Sequence, residues 1–237
     1  MFSYRQNKEK IRHLKWFDIL ILTLIMLGQA IYNSTMSYIV LIQGIVTIED
    51  NITYSAADNY FGLARQIVYL LVALAYLWLR CFDFKTWTIR FDLKAVIYGI
   101  LIFLGAALLL DIYNLLTYQL TVASLFAGPI GAFFGNETVA SVIYAMLNGV
   151  YEELYFLGIC LSVKKESLKW VVPFSLLIRV SFHTYQGMVT ALGIGLVFGL
   201  YMFLLYRRSK DRNLMPFFIA HIIADIFGLG ILSYLGL

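Results

Sequence analysis

GVYEELYFLG, residues 149–158, sets two adjacent carboxylates, Glu152 and Glu153, inside a run that is otherwise largely apolar from Thr138 to Val163. About 20 apolar residues suffice for a helix to cross a bilayer. Ionisable side chains inside such a helix are costly, so they mark a functional site by default. The pair therefore poses two questions together: whether the chain is built in a membrane, and what two acids would do there.

Composition answers the first. Of 237 residues, 61% are hydrophobic and 14% charged, and the mean hydropathy is +0.80, far outside the usual soluble balance. Only three prolines occur. With no low-complexity tract, linker or internal repeat in evidence, residues 1–237 read as one integral membrane domain. Arg5, Lys8, Lys10, Arg12 and Lys15 precede the first apolar run, and no small-residue cleavage site follows it, so that run is expected to be a retained span. Cys81 and Cys160 have neither metal-ligand spacing nor a setting that favours a disulfide, and read as structural.

Charge pattern gives the topology. Basic clusters at Arg5 to Lys15, Arg80 to Lys94, Lys164 to Lys169 and Arg207 to Arg212 alternate with acidic or neutral connections near Glu49, Glu137 and Gln186. The positive-inside rule puts every basic cluster on the cytoplasmic side. The expectation is an all-α polytopic membrane helix bundle of about seven spans, with a cytoplasmic N-terminus and the C-terminus outside. The spans fall at Phe17 to Val46, Phe61 to Leu79, Ala95 to Tyr118, Thr138 to Val163, Leu168 to Phe182, Met188 to Tyr206 and Leu214 to Leu235. Val122 to Gly135 is apolar and Gly-rich but too short to cross, which suggests a re-entrant loop or an interfacial cap. Trp16, Trp78, Trp87 and Trp170 fall at cytoplasmic span ends as interface anchors.

The ionisable residues within spans are Arg65, Asp111, Glu152, Glu153, Arg179, His183, His221 and Asp225. At about 1.5 Å per residue, Glu152 lies roughly 18 Å from Lys164 and His183 roughly 21 Å from Lys169. His221 and Asp225 lie roughly 14 and 20 Å from Arg212. Three helices thus bring acids and histidines to nearly one depth. Arg179 with His183, and His221 with Asp225, are four apart and share helix faces. Glu152 and Glu153 are about 100° apart, so both cannot point squarely into one cavity. Asp111 and Arg65 read as structural, and the row Ala191, Gly195, Gly199 as close helix packing. A carboxylate beside an imidazole can activate water as a general base. Zinc binding is the second candidate, but HExxH spacing is missing. A proton relay is the third, without the broken helices of a transporter.

In these residues the sequence resembles the CAAX protease and bacteriocin-processing family, also called the Abi family. Its pattern is Glu-Glu-xxx-Arg, Phe-xxx-His and His-xxx-Asn/Asp on successive membrane helices. Here the matches are Glu152 and Glu153 in EELYFL, His183 in RVSFHTYQG, and His221 with Asp225 in HIIAD. The resemblance covers residues 138–235. It implies an intramembrane glutamic endopeptidase that uses no metal or cofactor. Glu152 would activate water, helped by His183, while His221 and Asp225 would stabilise the oxyanion. Asp225 would do so either protonated or by orienting His221. Two positions depart from the pattern: Leu157 stands where Arg is expected, and Arg179 where the aromatic is expected. A cation lost from one helix and gained on the next suggests that Arg179 pairs with Glu153. The implied substrate is a membrane-associated or small peptide, such as a bacteriocin, pheromone precursor or leader peptide, or a lipidated peptide. Membrane lipid, a membrane sensor kinase and a peptide exporter are the other expected partners. Nucleic acid is not expected, and the implied location is the bacterial cytoplasmic membrane. The alternative is a catalytically silent immunity or regulatory protein that binds a peptide or a sensor kinase.

Overall fold

A computed structural model describes residues 9–52, 54–117 and 136–231. The helices are α1 (Trp16–Ile42), α2 (Ile48–Ile52), α3 (Ala56–Leu79), α4 (Leu93–Thr117), α5 (Asn136–Glu153), α6 (Leu168–Ser181), α7 (Met188–Leu192), α8 (Gly199–Arg208) and α9 (Met215–Phe227). Among the described residues there is no strand, only three isolated backbone bridges. α5 runs on into a π turn at Leu154–Ile159, and α7 is joined to α8 through a second π turn at Gly193–Phe198. Among the described residues, four helices are long and apolar enough to cross a membrane: α1, α3, α4 and the continuous run Met188–Arg208. The chain is an integral membrane protein by this helix content.

The opening stretch lies at the centre. Every residue from Tyr151 to Cys160 is buried, as expected of a helix apolar on all sides. Tyr151, Tyr155, Phe156 and Ile159 pack into one core with α1 and α3. Leu154 and Leu157 face a second core made by α4, the second π turn and α9. Hydrogen bonds fix the first contact: the Tyr155 hydroxyl lies 2.5 Å from Thr23 Oγ1, and the Tyr151 hydroxyl donates to the Met26 carbonyl. Gly149 lets α9 approach α5, because a Cβ there would fall 2.8 Å from both Ile222 N and Ile222 Cγ1.

All four basic connections gather at one end, apart from residues 1–8, which lie outside the described residues. The Ile11 N–H donates to the Cys81 carbonyl, the Leu14 N–H to the Ser162 carbonyl and the Leu214 N–H to the Thr88 carbonyl. Asp18, fully buried and absent from the sequence reading of span charges, joins this end as the partner of Arg80 at 2.7 Å and of the Tyr76 hydroxyl at 2.7 Å. Its signal was local, an acid three residues after Lys15, whose N–H donates to it. At the opposite end, the Asn51 amide donates to the Ser37 and Tyr185 carbonyls, tying α2 to α1 and to the turn after α6.

Two sequence expectations change. Leu168 to Phe182 was expected as a short segment, and α6 covers it with 14 residues, but Leu214 to Leu235 was expected to be one span and α9 has only 13 residues, about 20 Å of helix. α9 stops because Gly228 takes φ +84°, a conformation open to glycine and strained for other residues. Trp87 is not an interface anchor. Its indole N–H donates into the bundle, to the Gly158 carbonyl at 3.1 Å and Ser162 Oγ at 3.0 Å, whereas Trp16, Trp78 and Trp170 are exposed. The Val122 to Gly135 segment lies outside the described residues, as does the end of the chain past Ile231.

Candidate active site

Glu153 is fully buried, and an isolated ionised carboxylate there would be very costly. Arg179 answers it. Its Nη2 donates to Glu153 Oε1 at 2.7 Å, with both side chains almost wholly buried. This is the pairing anticipated when Leu157 and Arg179 were read as a cation moved from one helix to the next. The guanidinium is held between two rings, 4.0 Å from the Phe156 centroid and 5.2 Å from that of Phe198. Ring faces attract a cation more strongly when it is desolvated. Each ring comes from one of the π turns, a device common at functional sites.

The Glu153 Oε1 atom also accepts from His221 Nδ1 at 2.7 Å. Because Nδ1 faces a carboxylate that also meets Arg179, it is the nitrogen that carries the proton. His221 Nε2 then points to the other two acids, 3.7 Å from Glu152 Oε2 and 3.5 Å from Asp225 Oδ1. The imidazole thus separates the twin carboxylates, one on each ring nitrogen. The carboxylate that orients His221 through Nδ1 is Glu153. Asp225 sits at the Nε2 edge instead.

His183 is fixed differently. Its Nδ1 lies 2.7 Å from the Arg179 carbonyl, which can only accept, so Nδ1 is the donor and Nε2 is left as an acceptor. Glu152, His183, His221 and Asp225 line one cavity of about 670 Å³, while Glu153 and Arg179 stand behind its wall. That division follows the helical phase of adjacent residues. Arg65, read from sequence as structural, also lines the cavity, with its guanidinium 4.8 Å from the Phe61 ring centroid. Asp111 lies elsewhere, accepting from the Ile231 N–H at 2.7 Å.

Sequence reasoning missed Asn148. Its amide nitrogen donates to Glu152 Oε1 at 3.0 Å and to Asp225 Oδ2 at 2.8 Å, while its Oδ1 accepts from Gln66 Nε2 at 2.6 Å. The signal was available, since Asn148 stands four residues before Glu152 and shares its face. Glu152 Oε2 has no protein hydrogen-bond partner, leaving its lone pairs free for a group in the cavity. Among the described residues, no group of three or more His, Cys, Asp or Glu side chains is placed to hold a metal ion.

The cavity has a direction. Its walls are Met26 to Ser37 of α1, Asp58 to Tyr69 of α3 and Ser141 to Glu152 of α5, with residues from His221 onward in and after α9. Each is the part of its element farther from the basic connections. The rim includes the exposed residues Asn33, Tyr54, Asp58 and Phe61.

The helices that carry these groups match a known family. Residues 134–227 fit the model described as type II CAAX prenyl endopeptidase Rce1-like. The Rce1-like match runs to Phe227, the last residue of α9, and so contains Glu152, Glu153, Arg179, His183, His221 and Asp225. It overlaps the residues of the motif resemblance, and the chain is similar there to a family of CAAX-type proteases. No curated protein and no solved structure matches the chain in the corresponding comparisons.

Proposed function

We propose that the chain is an intramembrane glutamic-type endopeptidase that hydrolyses a peptide bond with water activated by Glu152, without a metal or cofactor. The observation that carries this reading is His221. One of its nitrogens is anchored on the Arg179–Glu153 pair, and the other faces Glu152 and Asp225 in a cavity large enough for a peptide segment.

In the proposed reaction Glu152 Oε2 takes a proton from water as its oxygen attacks the scissile carbonyl carbon. His183 Nε2, an acceptor by its tautomer, helps to hold that water. His221 Nε2, when it carries a proton, donates to the oxyanion that develops on the carbonyl oxygen. The proton held by Glu152 then passes to the leaving amine as the C–N bond breaks. Asn148 keeps Glu152 and Asp225 in register, and Glu153 with Arg179 fixes the His221 ring.

The proposed setting is one domain in a bacterial cytoplasmic membrane, with the basic end and N-terminus cytoplasmic. The seven apolar segments lie within the bilayer, the short α6 and α9 ending near the level of the site. The cavity then draws on the outer half of the bundle. That suits a membrane-associated or exported small peptide, such as a bacteriocin, pheromone precursor or leader peptide, better than a cytosolic lipidated one.

The test is cleavage of candidate membrane peptides by the purified chain, comparing wild type with Glu152→Gln and His183→Ala, with and without chelator. Cleavage lost in both folded variants and indifferent to chelator is the expected result. A cellular phenotype that survives Glu152→Gln would instead support a silent immunity or regulatory protein that binds a peptide or a membrane sensor kinase.

A further inference from the structure

A second cavity, of about 600 Å³, lies at the basic end, where the first π turn contributes Leu157 and Gly158 to its wall. Arg12, Lys165, Arg207 and Arg212 line it with His13 beside them, and no carboxylate is in the wall. Surface cations are ordinarily offset by neighbouring acids, so the disposition of the acids at this end matters. Asp83 is 3.5 Å from Arg12 and 3.9 Å from Lys10, Asp18 holds Arg80, and Asp92 and Asp211 both hold Arg90. Lys165, Arg207 and Arg212 make no ion pair among the described residues.

Two features set these cations around a recess. Arg212 takes φ +43°, a left-handed conformation uncommon for residues other than glycine, at the bend that precedes α9. The floor is semi-apolar: Leu157, Leu161 and Trp87 line it, with the Trp87 N–H already satisfied by Gly158 and Ser162. Cations without acids above an apolar floor are suited to an anion that carries an apolar body.

We propose that this cavity binds a phosphate group, supplied by the head group of an anionic phospholipid. Arginine forks match phosphate oxygens in bidentate geometry, and lysine adds a compact charge. The cavity lies where the apolar helices end and the basic connections begin, the level at which lipid phosphates sit in the proposed orientation. Basic residues near a membrane surface each contribute to attraction for anionic lipid. This proposal stands apart from the peptidase reading, since it uses no residue of the candidate active site.

Native mass spectrometry of the full chain in detergent micelles tests it with phosphatidylglycerol, phosphatidylcholine and inorganic phosphate as probes. Phosphatidylglycerol should be retained over phosphatidylcholine by about tenfold. The preference should vanish in Lys165→Gln/Arg212→Gln and persist in Lys94→Gln, a cation of the same end outside the cavity. Should the double variant fail to fold, Arg207→Gln gives the same readout. If inorganic phosphate displaces the lipid, or alone raises the unfolding temperature of wild type but not of the double variant, the site is a phosphate site with a soluble ligand. The proposal is overturned if neither probe is preferred. It is overturned equally if the double variant retains lipid as well as wild type, or if Lys94→Gln loses as much.

Discussion

Two cavities among the described residues are of similar size and opposite chemistry. In the one lined by Glu152, His183, His221 and Asp225, the carboxylates in and behind the wall are tied to partners: Glu152 and Asp225 to Asn148, and Glu153, behind the wall, to Arg179 and His221. In the one lined by Arg12, Lys165, Arg207 and Arg212, the side chains are exposed and three of the four cations lack an acid. The difference is one of dielectric. Removed from water, a charge without a partner costs several kcal/mol, so only a closed network survives. At a wet end, water itself solvates the cations, and they are free to serve another anion.

The contrast can be broken most directly at Arg179. Arg179→Met leaves Glu153 buried without its cation and should cost about 3–5 kcal/mol, read as a lower unfolding temperature in micelles, with peptidase activity lost as His221 loses its anchor. Combining Leu157→Arg with Arg179→Phe restores the pattern of the CAAX protease family and should recover part of both. A double variant no better than Arg179→Met would show that the two positions do not exchange roles.

Glu152→Gln should leave the fold intact and lower peptide cleavage by at least about a hundredfold. Asn148→Ala removes two hydrogen bonds to carboxylates and should cost about 1–3 kcal/mol, with the larger effect on kcat, because it releases the base without touching the outer rim. Asp225→Asn should keep activity within about tenfold of wild type, since Glu153 rather than Asp225 holds the His221 ring; a dead Asn variant would sink that assignment. At the basic end, Arg207→Gln should shift stability by less than about 0.5 kcal/mol. A large loss there would erase the distinction between the two cavities.

Much of this was legible in the residues. Depth counting from the basic anchors brought Glu152, His183, His221 and Asp225 together because helical rise is nearly constant. The missing Arg at Leu157 and the added one at Arg179 pointed to their ion pair because a buried carboxylate demands a cation. Gly195 and Gly199 read as packing, and they face Val180 and the Arg179 side chain. What escaped was tertiary. No local signal distinguishes the π turn at Leu154–Ile159 from α-helix, because both are apolar runs. Trp87 looked like an anchor by position, and only its two acceptors inside the bundle reveal it as structural. The length of α9 escaped because the hydropathy of the sequence continues past Phe227, its last helical residue.

The strap from Ile11 to Leu14 sets an order of assembly. It leaves the ribosome before its two backbone partners, Cys81 and Ser162, which follow roughly seventy and a hundred and fifty residues later, and chains fold as they are made. That end of the bundle can therefore close fully only when the helix of the twin glutamates is already in place, and a truncation before Ser162 would keep the bond to Cys81 but leave Leu14 without its partner.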